Sequence, residues 1–285
     1  MSRRDYDAIL LDLDGTLVTD EGEIRPRSVD ALRAADARGV RVMVVTGRSE
    51  GGVKPVLEQL GLDTPAIVYN GAGLWCPVEG RLLEERTLSN RLVAGSLAFA
   101  RACDAFPVVM RSGEKFAPWP RTEEEERAIS YHEDLHVLQD GELPTERLMR
   151  ITLFSGGYAD SQALLEDFQA AVPQPAYLTH FPLHALAQHR ASSLLVLDVQ
   201  PPCRGKGEAL RVLEERYGIP PQRAVAVGDA NNDVPMLNGA GLAVAMGNAF
   251  RSARAAADRV IGDNNGDAIA ELVEELFLGD ERPDS

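Results

Sequence analysis

The chain has 285 residues, of which 45% are hydrophobic and 26% charged, which is typical of a globular protein long enough for two domains. Its formal net charge of −15 disfavours non-specific binding to nucleic acid or to an anionic membrane, so we expect neither as a partner. No apolar run approaches the roughly 18 residues that a membrane-spanning helix needs.

The amino terminus and the cysteines indicate the compartment. The first apolar run is interrupted by Asp12 after a few residues, so it does not match a signal peptide. The three cysteines, Cys76, Cys103 and Cys203, are far apart and form no Cys-x-x-Cys pair. We therefore expect reduced thiols and a cytoplasmic location. The sequence leaves the oligomeric state open between a monomer and a homodimer.

The first quarter of the chain predicts alternating strands and helices. Apolar runs at 8–11, 40–45 and 66–69 predict strands, and periodic segments after Pro26 and around Val53 predict helices. This alternation is typical of an open parallel sheet with helices on both faces. Ligands bind at the carboxyl ends of the strands in such sheets, so the polar residues after each strand are candidates for a site.

From about Leu83 the pattern changes to strand pairs mixed with helices, which predicts an inserted α+β domain. The predicted helices are 88–103, 122–133 and 158–171, and the predicted strands are 108–111, 115–117, 148–154 and 176–181. The apolar run 194–199 is expected to return the chain to the first domain.

After that run the alternation resumes. The segments 206–217 and 268–278 predict helices, Met236 begins a short helix, and 224–227, 242–245 and 259–261 predict strands. The polar tail after Gly279 is expected to fray. The predicted fold class is therefore α/β, with a doubly wound, Rossmann-like parallel sheet and an α+β insert.

Two aspartates follow the first predicted strand. Side chains at positions i and i+2 of a strand point the same way, so Asp12 and Asp14 are expected to project together from its carboxyl end. Adjacent carboxylates repel each other, and a divalent cation is the usual remedy. Gly15 allows a sharp turn that brings backbone N–H groups near an anion. These features suit phosphoryl transfer, although a polar strand end entering a turn explains them equally well.

Four later residues share this ambiguity. Thr46, taken alone, is explained by helix capping, and Asp229 and Asp233 by the same role after a later strand. Lys206, one of only three lysines against 26 arginines, is explained by a solvated first helical turn. Only their joint pattern favours a functional site.

Four segments in order resemble the haloacid dehalogenase-like (HAD) phosphatases, and more narrowly their Cof-type sugar-phosphatase branch. They are Asp12-Leu13-Asp14-Gly15-Thr16, Thr46-Gly47-Arg48, Arg204-Gly205-Lys206-Gly207 and the run from Gly228 to Leu237. The resemblance covers nearly the whole chain. It implies a core made of residues 1–83 and 193–285, and an inserted α+β cap domain of type C2 at residues 84–192.

The resemblance also implies roles for individual residues. Asp12 would be the nucleophile and Asp14 the general acid and base. Asp12, Asp14 (through its backbone carbonyl) and Asp229 would bind Mg²⁺, with support from Asp233. Thr46 and Lys206 would complete the catalytic set by holding and neutralising the phosphate. Residues expected to face or orient the substrate are Gly47, Arg48, Asn70, Gly71 and Asn232, with His180, Arg190 and Trp119 as further candidates in the cap.

The activity implied by the resemblance is Mg²⁺-dependent hydrolysis of a small phosphorylated metabolite, in particular a sugar phosphate, through an aspartyl-phosphate. Phosphotransfer between sugar hydroxyls, as in phosphomannomutase-like relatives, and a non-catalytic binding module are the alternatives. The run from His132 to His136 matches the His-Glu-x-x-His pattern of zinc proteases, but no third ligand follows at the expected spacing. Gly205-Lys206-Gly207 lacks the Ser or Thr and the upstream glycine of a P-loop.

Overall fold

A computed structural model describes residues 5–130, 134–139 and 142–279. The elements up to residue 85 are β1 (Ala8–Leu11), α1 (Pro26–Ala37), β2 (Arg41–Val44), α2 (Glu50–Leu60), β3 (Ala66–Val68), β4 (Gly73–Cys76) and β5 (Arg81–Glu85). The next are α3 (Asn90–Ala102), β6 (Phe106–Arg111), β7 (Glu114–Pro118), α4 (Glu123–Ile129), β8 (Leu135–Leu138), β9 (Arg150–Ser155), α5 (Ser161–Ala171), β10 (Tyr177–Pro182) and β11 (Leu195–Gln200). The last are α6 (Glu208–Tyr217), β12 (Ala224–Gly228), α7 (Val234–Leu237), β13 (Leu242–Ala245), α8 (Arg251–Ala256), β14 (Arg259–Val260) and α9 (Ala268–Val273), which continues as a π-helical turn over Glu274–Leu278.

The chain divides into two compact units. The first consists of residues 1–48, 52–83 and 204–285, and the second of residues 49–51 and 84–203. Within the described residues, no helix combines the length and the apolar composition that crossing a membrane requires.

The first unit is built on a five-stranded parallel sheet in the order β14-β13-β12-β1-β2. The strand order reverses between β1 and β12, which lie side by side with Leu11 opposite Val227. The predicted doubly wound α/β class is thus confirmed, and β1 and β12 meet at the switch point where open sheets place their ligands. Every residue of both strands is buried, as their continuous apolar sequences predict.

Helix α1 shows how the sequence sets the outer layer of this unit. Pro26 occupies the first helical turn, where its missing N–H group costs no hydrogen bond. Val29, Leu32 and Ala35 follow at helical spacing and are buried. Gly39, with φ +81°, follows the helix end and accepts the left-handed backbone conformation there.

A three-stranded sheet, β3-β4-β5, extends the first unit, and the sequence analysis anticipated only its first strand. Strand β3 lies beside the end of β2 through a parallel bridge between Val45 and Ile67, so the third strand of the predicted alternation is present. Strands β4 and β5 were not predicted, because their short runs show no clear alternation of apolar and polar residues.

The second unit is a mixed sheet in the order β10-β11-β9-β6-β7-β8. Its hydrophobic core includes Leu97 of α3, Phe168 of α5, and Ile151, Leu153 and Leu197 of the sheet, so α3 and α5 cover one face. The predicted α+β character is present, including the hairpin of β6 and β7.

Strand β11 differs from the sequence-based expectation. The run 194–199 was expected to return the chain to the first domain at residue 193. In the structure β11 pairs antiparallel with both β9 and β10, and the second unit extends to Cys203. An apolar run specifies a buried strand but not its partners, so the sequence alone could not decide between the two sheets.

The predicted helix 122–133 is shorter in the described residues. Helix α4 covers Glu123–Ile129, and the Thr122 hydroxyl oxygen accepts the Glu125 N–H at 3.1 Å as its cap. Strand β8 was not predicted. His132 and Glu133 of the zinc-protease pattern, and the tail from residue 280, lie outside the described residues.

Candidate active site

The ends of β1 and β12 bring two aspartates of the first and fourth motifs together. Asp12 follows β1 directly, and its N–H donates to the Val227 carbonyl of β12 at 3.1 Å. Asp229 follows β12, and its carboxylate accepts the Thr16 hydroxyl at 2.9 Å. Both aspartates are buried. Residues more than 200 positions apart therefore share one strand edge because the two strands are neighbours.

Lys206 joins this cluster from the turn before α6. Its Nζ atom lies 2.6 Å from Oδ1 of Asp12 and 2.6 Å from Oδ1 of Asp233. The side chain is only 1% exposed. Lysines are almost never fully buried without a partner, so this geometry favours the functional interpretation of Lys206 over a solvated helix start.

Asp233 uses its whole carboxylate inside the protein. While Oδ1 accepts from Lys206, Oδ2 accepts the N–H groups of Asp229 and Ala230 at 2.9 and 2.8 Å. A Cβ atom on Gly228 would lie 2.5 Å from Cγ of Asp233, so only glycine fits there. Asp233 thus fixes both the lysine and the turn that presents Asp229.

The electrostatics of the cluster follow from burying three carboxylates around one cation. Burial and the charge of Asp233 raise the pKa of Asp12 well above its ordinary value, although Lys206 opposes the shift. The same two causes raise the pKa of Asp229 to about 7. Burial alone would lower the pKa of Lys206, but Asp12 and Asp233 raise it above its ordinary range.

This donor set fits a divalent cation. One carboxylate oxygen each from Asp12, Asp229 and Asp233 lie within 4.8 Å of one another. Oxygen ligands of this kind suit Mg²⁺, which takes few carboxylates and retains several waters. A second positive charge would also relieve the repulsion that raises the pKa values of Asp12 and Asp229. The group does not include the Asp14 carboxylate.

Asp14 is the exposed member of the aspartate pair. Its carboxylate accepts from Arg48 at two points, Nε to Oδ2 at 3.0 Å and Nη2 to Oδ1 at 2.5 Å. The side chains are 54% exposed for Asp14 and 31% for Arg48. Asp12 and Asp14 therefore occupy different environments, one buried against a lysine and one at the surface with an arginine.

The second motif and the turn after β3 form a neighbouring group. The Thr46 hydroxyl oxygen accepts the Arg48 N–H at 3.0 Å, and its carbonyl accepts the Asn70 N–H at 3.0 Å. The Asn232 amide donates to Oδ1 of Asn70 at 3.0 Å. A Cβ on Gly47 would lie 3.0 Å from this Oδ1 atom. Hydrogen bonds thus connect the predicted residues Thr46, Arg48, Asn70 and Asn232 in one chain, and Gly47 lies beside Asn70.

Gly71 connects this group to the turn Gly205–Gly207, which carries Lys206. Its φ angle is +99°, and a Cβ atom there would lie 2.3 Å from the Gly205 carbonyl oxygen. Asn70 also has a positive φ of 50°, a conformation that asparagine tolerates better than most residues. Position 71 therefore needs glycine, because its backbone lies directly against Gly205, the residue before Lys206.

Three further residues contribute to the candidate site, and the sequence alone predicted no role for them. Thr16 donates to Asp229, Gly228 leaves room for Asp233, and Asn248 donates from Nδ2 to the Gly15 carbonyl at 2.8 Å. The positions of Thr16 and Gly228 inside recognised motifs were an available signal. Asn248 follows β13 outside these motifs, and no local pattern marked it.

The three candidates from the insert lie in the second unit. His180 is half-buried in β10, with Nδ1 3.0 Å from the Ser161 hydroxyl oxygen, and burial lowers its pKa. Trp119 is 62% exposed and Arg190 is exposed. Their suggested contact with substrate stays a prediction.

Comparisons with known proteins show the family of the chain. A family model of haloacid dehalogenase-like hydrolases matches residues 9–273. Phosphatase YwpJ of Bacillus subtilis (strain 168) is 28% identical over 290 residues, covering 94% of this chain and 99% of the relative. Pyridoxal phosphate phosphatase YbhA of Escherichia coli (strain K12) is 29% identical over 277 residues, covering 93% and 96%. The solved structure of BT4131, a sugar phosphatase of HAD subclass IIB, has a TM-score of 0.78 at 20% identity and covers 94% of this chain and 98% of that one.

The fold and the cluster of acidic residues and lysine thus define a Rossmann-like hydrolase. The chain belongs to the haloacid dehalogenase-like hydrolases. The two curated relatives that it matches over nearly its whole length are phosphatases.

Proposed function

We propose that the protein is a Mg²⁺-dependent phosphomonoesterase that acts on a small sugar phosphate through an aspartyl-phosphate on Asp12. The observation that carries the proposal is the position of Asp12. Its buried carboxylate lies at the switch point of the sheet, 2.6 Å from Lys206, with the exposed Asp14 two residues later.

The cation would be held by Asp12, the Asp14 backbone carbonyl and Asp229. Bound there, Mg²⁺ would neutralise phosphate oxygens and the clustered carboxylates, which orients the ester for in-line attack. Asp233 would support this arrangement indirectly, because both of its oxygens already accept from Lys206 and from backbone N–H groups.

In the first step the Asp12 carboxylate would attack phosphorus. A bond forms between a carboxylate oxygen and phosphorus, the bond from phosphorus to the ester oxygen breaks, and Asp14 gives its proton to the departing alcohol. In the second step Asp14 would take a proton from water as the water oxygen attacks phosphorus. The bond between Asp12 and phosphorus then breaks, releasing orthophosphate and regenerating Asp12.

Lys206 and Thr46 would stabilise the charge that develops on the phosphoryl group. Lys206 is a fixed ammonium whose pKa is raised, so it keeps its proton at neutral pH. The Thr46 hydroxyl oxygen already accepts the Arg48 N–H, which directs its own O–H proton to another acceptor. We propose a phosphate oxygen as that acceptor, with N–H groups of the Gly47 turn beside it.

The sugar phosphate is the substrate class that we propose. The Cof-type motifs and the likeness to a sugar phosphatase that is 20% identical support it. A relative that is 29% identical is named for pyridoxal phosphate, which makes that class of ester the alternative substrate. Phosphotransfer to a second sugar hydroxyl would use the same aspartyl-phosphate. Stoichiometric release of orthophosphate favours hydrolysis, and phosphate retained on the sugar would favour transfer.

A generic aryl phosphate tests the core of the proposal. We expect turnover with Mg²⁺, its loss in excess chelator, and its loss in the Asp12→Asn variant, which keeps the shape of the side chain. Turnover that survives either the chelator or the substitution would contradict the mechanism. A panel of phosphorylated sugars and other metabolites then identifies the substrate class.

A further inference from the structure

The side chain of Asn248 bridges two loops of the first unit. Its Nδ2 donates to the Gly15 carbonyl at 2.8 Å, and its Oδ1 accepts the Asn264 N–H at 3.2 Å. Gly15 belongs to the turn after Asp14, and Asn264 to the loop after β14. The bridge therefore ties the turn of the first motif to a segment almost 250 residues later.

The Gly15 turn is restrained on both sides. The Thr16 hydroxyl donates to Asp229, and Asn248 donates to Gly15. Gly15 has φ +80°, and a Cβ atom there would lie 2.5 Å from Oδ2 of Asp229. The Gly15 carbonyl belongs to the peptide between Gly15 and Thr16, one peptide beyond Asp14, so the two bonds together restrain the turn into which Asp14 leads.

The network continues along the segment that follows the turn. Asn264 is buried, and its Nδ2 donates to the Val18 carbonyl at 2.9 Å and to Oδ1 of Asp20 at 3.3 Å. Val18 also donates its N–H to the Leu13 carbonyl at 2.9 Å. Asn264 thus holds Val18 and Asp20, whereas Asn248 holds Gly15, the residue directly after Asp14.

We propose that Asn248 is a positioning residue for the Asp14 acid and base. It acts through the Gly15 peptide and makes no contact with the reacting atoms. Arg48 holds the far end of the Asp14 side chain, whereas Asn248 holds the Gly15 carbonyl in the turn that directly follows Asp14. This inference rests on the proposed function, because it assigns Asp14 the proton transfer to the leaving group.

The dependence on the leaving group distinguishes positioning from a general loss of structure. A basic phenolate or alkoxide needs a proton from Asp14 as it departs, whereas an acidic phenol such as 4-nitrophenol departs with less help. Displacement of Asp14 therefore slows esters of basic phenols selectively. Loss of Asp12, of the metal or of folded protein slows all esters alike.

The experiment compares 4-nitrophenyl phosphate with 4-methoxyphenyl phosphate, which have similar shape and different leaving-group basicity. Asn248→Ala removes both hydrogen bonds of the bridge. Asn248→Asp keeps the acceptor for Asn264 but has no donor for Gly15. Asn265→Ala is the matched control, because Asn265 accepts the exposed Asp20 N–H at 3.0 Å from the same loop but at a point farther from Asp14.

We expect Asn248→Ala and Asn248→Asp to lower kcat/KM for the 4-methoxyphenyl ester about 10-fold more than for the 4-nitrophenyl ester. Asn265→Ala is expected to preserve the wild-type ratio of the two esters. Asp14→Asn gives the selectivity expected when the acid is lost altogether. Thermal unfolding of each variant reports its folded fraction.

Equal losses on both esters, or none, for the Asn248 variants would overturn the inference while leaving the proposed function intact. A wild-type protein that hydrolyses neither ester would overturn the proposed function and, with it, this role of Asn248. The selective loss in the Asn248→Asp variant is the most informative outcome, because the acceptor for Asn264 is kept while the donor to Gly15 is replaced by a carboxylate oxygen.

Discussion

Arg48 and Asp14 form a two-point ion pair, with the Nε and Nη2 atoms of the arginine 3.0 and 2.5 Å from the two carboxylate oxygens. The pair joins the second motif to the first. It gives the proposed acid and base a fixed orientation at a position where its side chain is half exposed.

The geometry of this pair predicts the effect of a conservative substitution. Arg48→Lys keeps the charge but loses the planar fork, so we expect kcat/KM for an aryl phosphate to fall about 10-fold. The free energy of unfolding is expected to change by less than about 1 kcal/mol, because exposed ion pairs contribute little. Steady-state kinetics and urea unfolding measure the two effects.

Arg27→Lys is the matched control for that substitution. Arg27 forms a similar two-point pair with Glu274, at 3.1 and 2.7 Å, away from the candidate site. We expect wild-type activity for this variant. An equal loss of activity in both variants would show that the fork at Arg48 has no specific role.

Lys206 lies between two buried carboxylates, so its removal is expected to affect both stability and activity. Lys206→Met leaves the charges of Asp12 and Asp233 without their cation and should destabilise the fold by about 3 kcal/mol. Activity should become undetectable. Chemical denaturation in the presence of chelator isolates the contribution of the lysine from that of Mg²⁺.

Lys54→Met provides the comparison within the same unit. Lys54 is exposed and lies 3.9 Å from Glu58 one helical turn away. We expect a change below about 0.5 kcal/mol in stability and none in activity. Similar stability of the Lys206 and Lys54 variants would contradict the role assigned to the buried lysine.

Gly71 is expected to tolerate no side chain. Gly71→Ala would place a Cβ atom 2.3 Å from the Gly205 carbonyl and impose strain at φ +99°. We expect a loss of about 3 kcal/mol or more, together with reduced activity, because Gly205 precedes Lys206. Gly80→Ala, at φ +62° with no atom within 4 Å, should cost only about 1 kcal/mol and preserve activity. Thermal unfolding and aryl phosphate turnover of both variants test this difference.

The raised pKa of Asp229 predicts how the stability of the metal-free protein depends on pH. In the folded state this carboxyl has a pKa of about 7, against an ordinary value of 3.8, so between these pH values it binds a proton that the unfolded chain releases. Its contribution to the free energy of unfolding therefore falls as pH rises through this window. Asp229→Asn removes that penalty and still accepts from Thr16.

In excess chelator we expect Asp229→Asn to be more stable than the wild type by about 1–3 kcal/mol at pH 8, and the difference to shrink as the pH falls toward 5. Saturating Mg²⁺ should stabilise the wild type more than the variant, because the metal binds the ionised carboxylate. Urea unfolding across this pH range measures both effects. A difference that is independent of pH would contradict the assignment.

The local sequence was sufficient to predict an element where the segment itself contains an apolar run, a helix start or a helix stop. The continuous apolar run of β1, the Pro26 start of α1 and the glycine after it predicted their elements closely. The four motif segments predicted most residues that the structure brings together, because parallel strands present their carboxyl ends at one edge. Strands β4, β5 and β8 were missed, since their short runs show no clear alternation.

The sequence by itself determined the α/β class, the family and the chemical types available at the site, since these depend on residues close together along the chain. Only the tertiary structure decided which groups are partners. It paired Asp14 with Arg48 across 34 positions and Gly15 with Asn248 across 233, and it placed β11 in the sheet of the second unit. Contacts between distant segments depend on how whole elements pack, and no local pattern encodes that packing. The same packing gave Asp12 a buried lysine and left Asp14 at the surface, and that difference in environment separates their proposed roles.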